Sequence, residues 1–319
     1  MTLHEDWTAI PPEARGAAVA LGNFDGVHLG HVHLLRSLHA ARPDLTLGAL
    51  TFEPHPREFF RPQDPPLRLM LPEIRTRILH EQGARHVFQL RFDADFSHLT
   101  PDQFVETVLH AGLGVRHVAC GPDFAFGHRR SGNIAYLGQK LESLGIGLTV
   151  VPPLTDIGGP YSSSRIRRLL QEGYPERAAE ELGRPWFITG EVAHGDKRGR
   201  LLGFPTANIP LGRHVEPARG VYAVSVRHPD GRVTPGVANI GRRPTIDDGQ
   251  ESRLEVHLFD VNEDLYGQTL EVSLHKLLRE EKRFAGLDEL KAQIADDAQA
   301  ARAALASLTF LPPPATRIP

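Results

Sequence analysis

Five apolar residues, Ala17-Ala18-Val19-Ala20-Leu21, run straight into Gly22-Asn23-Phe24-Asp25-Gly26-Val27-His28-Leu29-Gly30-His31. An unbroken apolar run bounded by glycine reads as a strand covered on both faces, which a parallel sheet provides. Val32-His33-Leu34-Leu35-Arg36-Ser37-Leu38 follows with the spacing of an amphipathic helix. Strand, polar turn and helix in that order put the turn where open α/β sheets capture phosphate. His28 and His31 are three apart, so a helix beginning there carries both imidazoles on one face. Gly30 removes a side chain where a phosphate would approach closely. The residues alone leave two readings open: a polyphosphate loop with two histidine donors, or a plain turn in a chain with 17 histidines.

The alternation continues. Leu45 to Phe52 reads as a strand that stops at Glu53-Pro54-His55-Pro56, where two prolines present His55 at its carboxyl end. A helix from Pro72 to Gly83, a strand from His86 to Phe92, and a helix opened by Thr100-Pro101-Asp102 and ended near Gly112 and Gly114 come next. Val115 to Cys120 and Leu148 to Val151 are further strands. Such a series predicts a mostly parallel, doubly wound sheet, with ligands beyond the carboxyl ends of its strands. Two polar stretches fall there. Gly121-Pro122-Asp123-Phe124-Ala125-Phe126-Gly127 follows a strand directly; it reads equally as a loop held by two buried phenylalanines. Ser162-Ser163-Ser164-Arg165-Ile166-Arg167-Arg168 follows Asp156-Ile157-Gly158-Gly159-Pro160, which reads as mobile. Its hydroxyls suit a helix cap or a phosphate, and Arg167 suits a phosphate oxygen or a solvated basic face.

The pattern changes near Gly183-Arg184-Pro185, which divides the chain into domains of 1–183 and 184–319, about two domains for 319 residues. Short alternating strands follow at Trp186 to Val192, Gly220 to Val226, Leu254 to Phe259 and Leu270 to Leu274. His228-Pro229-Asp230-Gly231 supplies a hairpin turn into Arg232-Val233-Thr234. This predicts a small antiparallel barrel, with an amphipathic helix from Leu287 to Leu308 on its outside and order ending at Leu311-Pro312-Pro313-Pro314. A net charge of −3 without basic-aromatic stretches argues against nucleic acid as a partner. The single cysteine, Cys120, excludes an internal disulfide and fits a reducing compartment. No apolar run approaches the ~20 residues of a membrane span, and Met1 to Trp7 lacks the marks of a signal peptide, so the expected location is the cytoplasm.

The His-x-Gly-His of the opening turn, set in Gly-x-Phe-Asp-Gly, resembles the α/β nucleotidyltransferases. Thr51-Phe52-Glu53-Pro54-His55-Pro56 and Gly121 to Gly127 narrow the resemblance to the FMN adenylyltransferase half of bifunctional bacterial riboflavin kinase/FAD synthetases. Ser162 to Arg167 is similar to the family's Ser-Ser-Thr-x-Ile-Arg loop, with Ser164 keeping the hydroxyl of the threonine. In the second half, Gly190 to Ile209, Pro217 to Ala223, Asn239 to Thr245, Leu254-Glu255-Val256-His257 and Leu265-Tyr266-Gly267 resemble the kinase half in the same order. The fold implied is α/β plus β: a doubly wound, Rossmann-like nucleotidyltransferase domain, then a small antiparallel β-barrel kinase domain with a C-terminal helix.

The resemblance implies two reactions, riboflavin to FMN and FMN to FAD, each consuming ATP. It places Gly22, Asn23, Phe24, Asp25 and Gly30 around ATP in the first half, with His28 and His31 donating to its phosphates and Ser163, Ser164 and Arg167 closing over them. His55 and Asp123 are expected at the flavin. In the second half Gly195, Gly199 and Arg200 are expected to cover ATP phosphates, Thr206 and Asn208 to hold Mg²⁺, and Glu255 to accept the proton of the ribityl hydroxyl. Taken alone, Thr206-Ala207-Asn208 is equally a turn and Glu255 an outward-facing strand residue. A kinase with an inactive adenylyltransferase half, or a flavin sensor without turnover, are the other readings. The partners expected are small molecules, with self-association left open.

Overall fold

The computed structural model describes residues 1–194, 204–242, 252–306 and 318. Contacts divide the chain into two compact units, one of Met1–Asp64, Pro72–Ser162 and Ala315–Pro319, the other of Pro65–Leu71 and Ser163–Pro314.

The first unit is organised by six parallel strands in the order β1-β4-β3-β2-β5-β6. They are β1 (Thr2–His4), β2 (Ala18–Leu21), β3 (Leu47–Glu53), β4 (His86–Arg91), β5 (His117–Cys120) and β6 (Gly147–Val150). All four residues of β2 and of β5 are buried, as expected of central strands covered on both faces. The helices α1 (Leu29–Ala41), α2 (Pro56–Phe60), α3 (Pro72–Glu81) and α4 (Ile134–Ser143) lie between the strands in sequence. α1 buries Val32, Leu34, Leu35 and Leu38, the spacing that the sequence shows. The helix expected from Thr100 begins with a reciprocal Thr100–Gln103 cap and widens to a π-helical turn over Phe104–Gly112. The stretch from Asp156 to Pro160 forms the turn of a two-stranded ribbon, β7 (Thr155–Asp156) with β8 (Gly159–Pro160). The Asp156 carboxylate accepts the Gly158 N–H at 2.7 Å inside that turn.

The second unit is an antiparallel sheet of six strands in the order β10-β13-β12-β11-β14-β9. These are β9 (Trp186–Glu191), β10 (Ala207–Pro210), β11 (Gly220–Arg227), β12 (Val233–Arg242), β13 (Ser252–Leu258) and β14 (Thr269–Glu280). An isolated bridge from Ala193, just past β9, to Asn208 on β10 nearly closes it into a barrel. Alternate residues fill the inside: Ile188, Ile209, Tyr222, Val224, Ala238, Ile240, Leu254, Val256 and Val272 form one buried cluster. The opposite face of β11 and β12 supplies Val221, Ala223 and Val237, and these pack with Ala301 and Leu305 of the last helix, α7 (Leu287–Ala306), on the outside as the sequence predicts. Arg279 on β14 holds that helix through Asp297, with contacts of 2.9 and 2.7 Å.

The units part at Ser162, whereas the composition changes at Gly183. The two helices between, α5 (Ser163–Gln171) and α6 (Pro175–Leu182), bury Ile166, Leu169, Leu170, Ala178 and Leu182 in the same cluster as Trp186 and Ile188. Arg165 Nε meets the buried Glu181 carboxylate at 2.5 Å and ties α5 to α6. The shift at Gly183 therefore marks where helices give way to strands. Pro65–Leu71 joins this unit through Leu69, buried in the same cluster, and through its backbone: Val215 N donates to the Arg68 carbonyl at 2.8 Å and Trp186 Nε1 to the Leu69 carbonyl at 2.8 Å.

Candidate functional site

The polar turn of the first unit leaves the sheet at the carboxyl end of β2. Phe24 (φ 52°), Gly26 (φ 88°) and Val27 (φ 37°) take left-handed backbone conformations, and Phe24, Asp25 and Val27 are buried. The helix begins at Leu29 with His28 as its N-cap, and the His28 carbonyl accepts from His31 N at 2.8 Å and Val32 N at 3.0 Å. Both imidazoles come to one place, stacked with ring centroids 3.7 Å apart, and Phe24 lies 5.0 Å from the His31 ring. A Cβ on Gly30 would sit 3.1 Å from the His28 ring and 3.2 Å from the Tyr161 carbonyl. The glycine is thus needed to seat His28, a closer reason than room for a ligand. Asn23 is exposed at the mouth of the turn, while Gly22 lets the Phe24 ring approach, 3.4 Å from where its Cβ would be.

The neighbouring strands end in loops that carry the other first-half residues. His55 caps α2, its Nδ1 accepting the Arg57 N–H at 3.1 Å. Asp123 is exposed on a loop pinned by Phe126, whose backbone exchanges hydrogen bonds with Gly132 at 3.1 and 2.9 Å. Between these loops runs a row of aromatic rings that sequence reasoning did not assign. Phe60 lies 5.7 Å from Phe92, Phe92 5.7 Å from Phe96, Phe96 6.3 Å from Phe104, and Phe104 5.3 Å from Phe126. Phe60 is 62% exposed at the end of the row. Its signal in the sequence is the Phe59-Phe60 pair shortly after the proline turn, of which the structure leaves Phe60 exposed and Phe59 half-buried. A separate cleft of about 420 Å³ is walled by Glu5, Asp6, Asp93 and Asp95 against one Arg91, which disfavours a phosphate there.

Ser163, Ser164 and Arg167 belong to the second unit, on the first turns of α5. Arg167 Nε donates to the Leu67 carbonyl at 2.6 Å, so this side chain also holds the Pro65–Leu71 segment.

In the barrel, β13 is paired on both sides around Glu255. Asn208 of β10 is its partner on one side and Asn239 of β12 on the other. Directly opposed residues share a face, so a carboxylate stands between two amides. Leu254, Val256 and Leu258 point into the core, and Glu255 is half-buried on the other face. Asn208 is 8% exposed, and its Nδ2 donates to the Thr206 carbonyl at 3.4 Å. His257, two residues beyond Glu255 and hence on the same face, contacts the Pro205 carbonyl through Nδ1 at 2.9 Å and fixes the loop that carries Thr206. That alternation is the signal by which His257 could have been found. Among the described residues no group of three or more His, Cys, Asp or Glu side chains is placed to hold a metal. A cation here would rest on the neutral oxygens of Thr206 and Asn208, a donor set that suits a hard ion already carrying phosphate and water ligands. Gly195, Gly199 and Arg200 lie outside the described residues.

No helix among the described residues is long and apolar enough to cross a membrane. A family model described as FAD synthetase matches residues 10–165, and one described as riboflavin kinase matches residues 182–305. The chain is 43% identical over 289 residues to the bifunctional riboflavin kinase/FMN adenylyltransferase of Escherichia coli (strain K12), covering 90% of this chain and 92% of that one. The enzyme of the same name from Bacillus subtilis (strain 168) is 38% identical over 298 residues, 92% of this chain and 93% of its own. Among solved structures, one described as a macrolide-efflux protein from Streptococcus pneumoniae superposes with a TM-score of 0.84 at 31% identity, over 94% of this chain and 98% of that one. With both matches in order and nearly the whole length shared, the chain belongs to the bifunctional riboflavin kinase/FMN adenylyltransferase family.

Proposed function

We propose that the chain converts riboflavin to FMN in its second half (184–319) and FMN to FAD in its first half (1–183), with ATP as co-substrate of both steps. What supports the first step most directly is the register of the barrel, which brings Asn208 and Glu255 side by side on one face. The oxygen of the terminal ribityl hydroxyl attacks the γ-phosphorus of ATP, its proton passes to the Glu255 carboxylate, and ADP leaves. An alcohol is a weak nucleophile, so removing that proton as the bond forms is worth about 10²- to 10⁴-fold in rate. Thr206 and Asn208 are the residues that would hold Mg²⁺, which when bound offsets charge on the ATP phosphates. Gly195, Gly199 and Arg200 are assigned to the loop over those phosphates.

In the second step a phosphate oxygen of FMN attacks the α-phosphorus of ATP, the bond to the β-phosphate oxygen breaks, and pyrophosphate leaves. Both reactants are already activated, so the protein positions them and stabilises negative charge. His28 and His31, stacked at the N-terminus of α1, offer N–H donors beside the Leu29 and Gly30 amides of its first turn. Gly22, Asn23, Phe24, Asp25 and Gly30 shape the turn around ATP, and Ser163, Ser164 and Arg167 are assigned to its triphosphate. His55 and Asp123 are assigned to the flavin, and the exposed Phe60 adds a ring face for a planar heteroaromatic. The single cysteine suits a reducing compartment, which supports a cytoplasmic location for the enzyme.

Purified protein incubated with riboflavin, ATP and Mg²⁺ tests the reading. FMN followed by FAD is expected. FMN alone would leave a kinase with an inactive first half, and flavin binding without ATP turnover would leave a sensor. Glu255→Gln should lower FMN formation by at least about 100-fold and spare FMN-to-FAD conversion, while His28→Ala with His31→Ala should do the reverse. Loss of both steps together in a folded variant would refute the two-site assignment.

A further inference from the structure

Arg75 lies on α3 and is 1% exposed, an unusual setting for a guanidinium. Its partners come from the carboxyl ends of three adjacent strands. Nη2 donates to Gln89 Oε1 on β4 at 2.9 Å, and to the Phe52 carbonyl and the Glu53 carboxylate at the end of β3, each at 3.4 Å. Nη1 donates to the carbonyl of Asn23, two residues past β2, at 3.3 Å. The Thr51 hydroxyl donates to that same carbonyl at 2.9 Å. Glu53 is one of several partners at similar distance, with Gln89 the nearest, and no fork closes on its carboxylate. The shared target is the Asn23 carbonyl, gripped from β3 and from α3 immediately before the backbone turns left-handed at Phe24, Gly26 and Val27. Non-glycine residues in that region persist only where their surroundings over-determine them. One residue past Val27 the chain delivers His28 to the helix start.

We propose that Arg75 is a positioning residue for adenylyl transfer: through the Asn23 carbonyl it sets the point from which the turn presents His28 and His31. The proposal rests on the reading of the first half as the adenylyltransferase. Arg75 itself touches no substrate in this role. Its removal lets the turn shift, and a displacement near 1 Å at a positioned group costs on the order of 10²-fold in rate. Thr51 acts on the same carbonyl from the other side and shares the task.

The experiment measures FMN adenylylation and riboflavin phosphorylation on the same full-length preparations of wild type, Arg75→Met, Arg75→Lys and Thr51→Val. Arg75→Met is expected to lower kcat for FAD formation about 30- to 100-fold, with KM for ATP within about threefold and riboflavin phosphorylation within about twofold. Arg75→Lys, which keeps the charge and one donor centre, should recover about tenfold of that loss. Thr51→Val should lose about three- to tenfold, again in kcat. A role in folding alone would lower kcat only by the fraction of the first unit that is unfolded, read on the same preparations as buried Cys120 opened to alkylation, so a kcat corrected for that fraction would stay at the wild-type value. Arg75→Met that phosphorylates riboflavin normally and forms FAD at the wild-type kcat overturns the proposal. If Arg75→Met does not accumulate as folded protein, Thr51→Val decides, and an unchanged kcat there overturns it equally. A wild type that makes FMN but no FAD overturns the reading of the first half, and the proposal with it, before any variant is compared.

Discussion

Acidification from pH 7 to pH 5 is expected to cost the second unit about 2 kcal/mol through His275 alone. Val224 pairs with Leu274 and Ala223 with Lys276, which leaves His275 as the extra residue of a bulge in β14. Its ring is 8% exposed, with Nε2 2.7 Å from Ser225 Oγ. Burial pushes the imidazole down to about 4 from an ordinary 6.5. The unfolded chain therefore takes up a proton below pH 6.5 that the folded protein refuses until about pH 4. Stability is complete above pH 6.5, declines as the pH falls through that window, and levels below it. The whole shift corresponds to about 3 kcal/mol, of which about 2 have been lost by pH 5. The two tryptophans make the unit separately observable. Trp186 is buried in the second unit, where it pairs with Leu274, and Trp7 packs against the core of the first. In a Trp7→Phe background, urea unfolding followed by Trp186 emission at pH 7, 6 and 5 reads the second unit alone. His275→Gln keeps a polar group near the Nε2 position and cannot titrate. Its unfolding free energy should fall about 2 kcal/mol less between pH 7 and pH 5 than that of the parent. Equal losses in the two proteins would refute the argument, because the slope would then come from other groups.

Cys120, fully buried at the end of β5, has its thiol pushed up to about 12 by burial. Native protein at pH 8 should resist alkylation for as long as it stays folded, and rapid modification without loss of structure would contradict the burial. Gly30→Ala places a Cβ 3.1 Å from the His28 ring and 3.2 Å from the Tyr161 carbonyl. FAD formation should drop by about tenfold or more while riboflavin phosphorylation is kept, and a variant with normal FAD formation would show that the seat of His28 does not matter.

Much of the fold could be read from the chain because its signals are local. β2 is apolar throughout, α1 repeats with helical period, and the strands of the barrel alternate at period two. β1 leaves little mark in the sequence because Thr2–His4 is three residues long with only His4 buried, and what secures it is pairing to β4 with His4 stacked on Phe88. Asp156 to Pro160 holds a pairing that residue type does not announce either: its glycines read as freedom, and the β7–β8 ribbon with the Asp156 carboxylate on the Gly158 N–H appears only in three dimensions. Pro65–Leu71 is held in the second unit by Leu69 in its core and by carbonyls accepting from Val215, Trp186 and Arg167, and a carbonyl has no signature in residue type.

The two candidate sites differ in legibility for a physical reason. In a parallel sheet the ligand end is set by chain direction, and the turn there needs glycine at positions of close approach, so Gly22 to His31 announces itself in one dimension. In an antiparallel barrel the outward face of any strand is a row of alternate polar residues, and Glu255 looks like each of the others. It becomes distinctive only when β10, β13 and β12 are laid side by side and Asn208, Glu255 and Asn239 fall on one line. A slip of one residue in β13 would turn Glu255 into the core and bring Leu254 or Val256 out, destroying site and core together. The packing that holds Leu254, Val256 and Leu258 inside is therefore the same constraint that holds Glu255 between its two amides. A substitution that weakens this core should blunt the kinase step through register before it removes any side chain from the site.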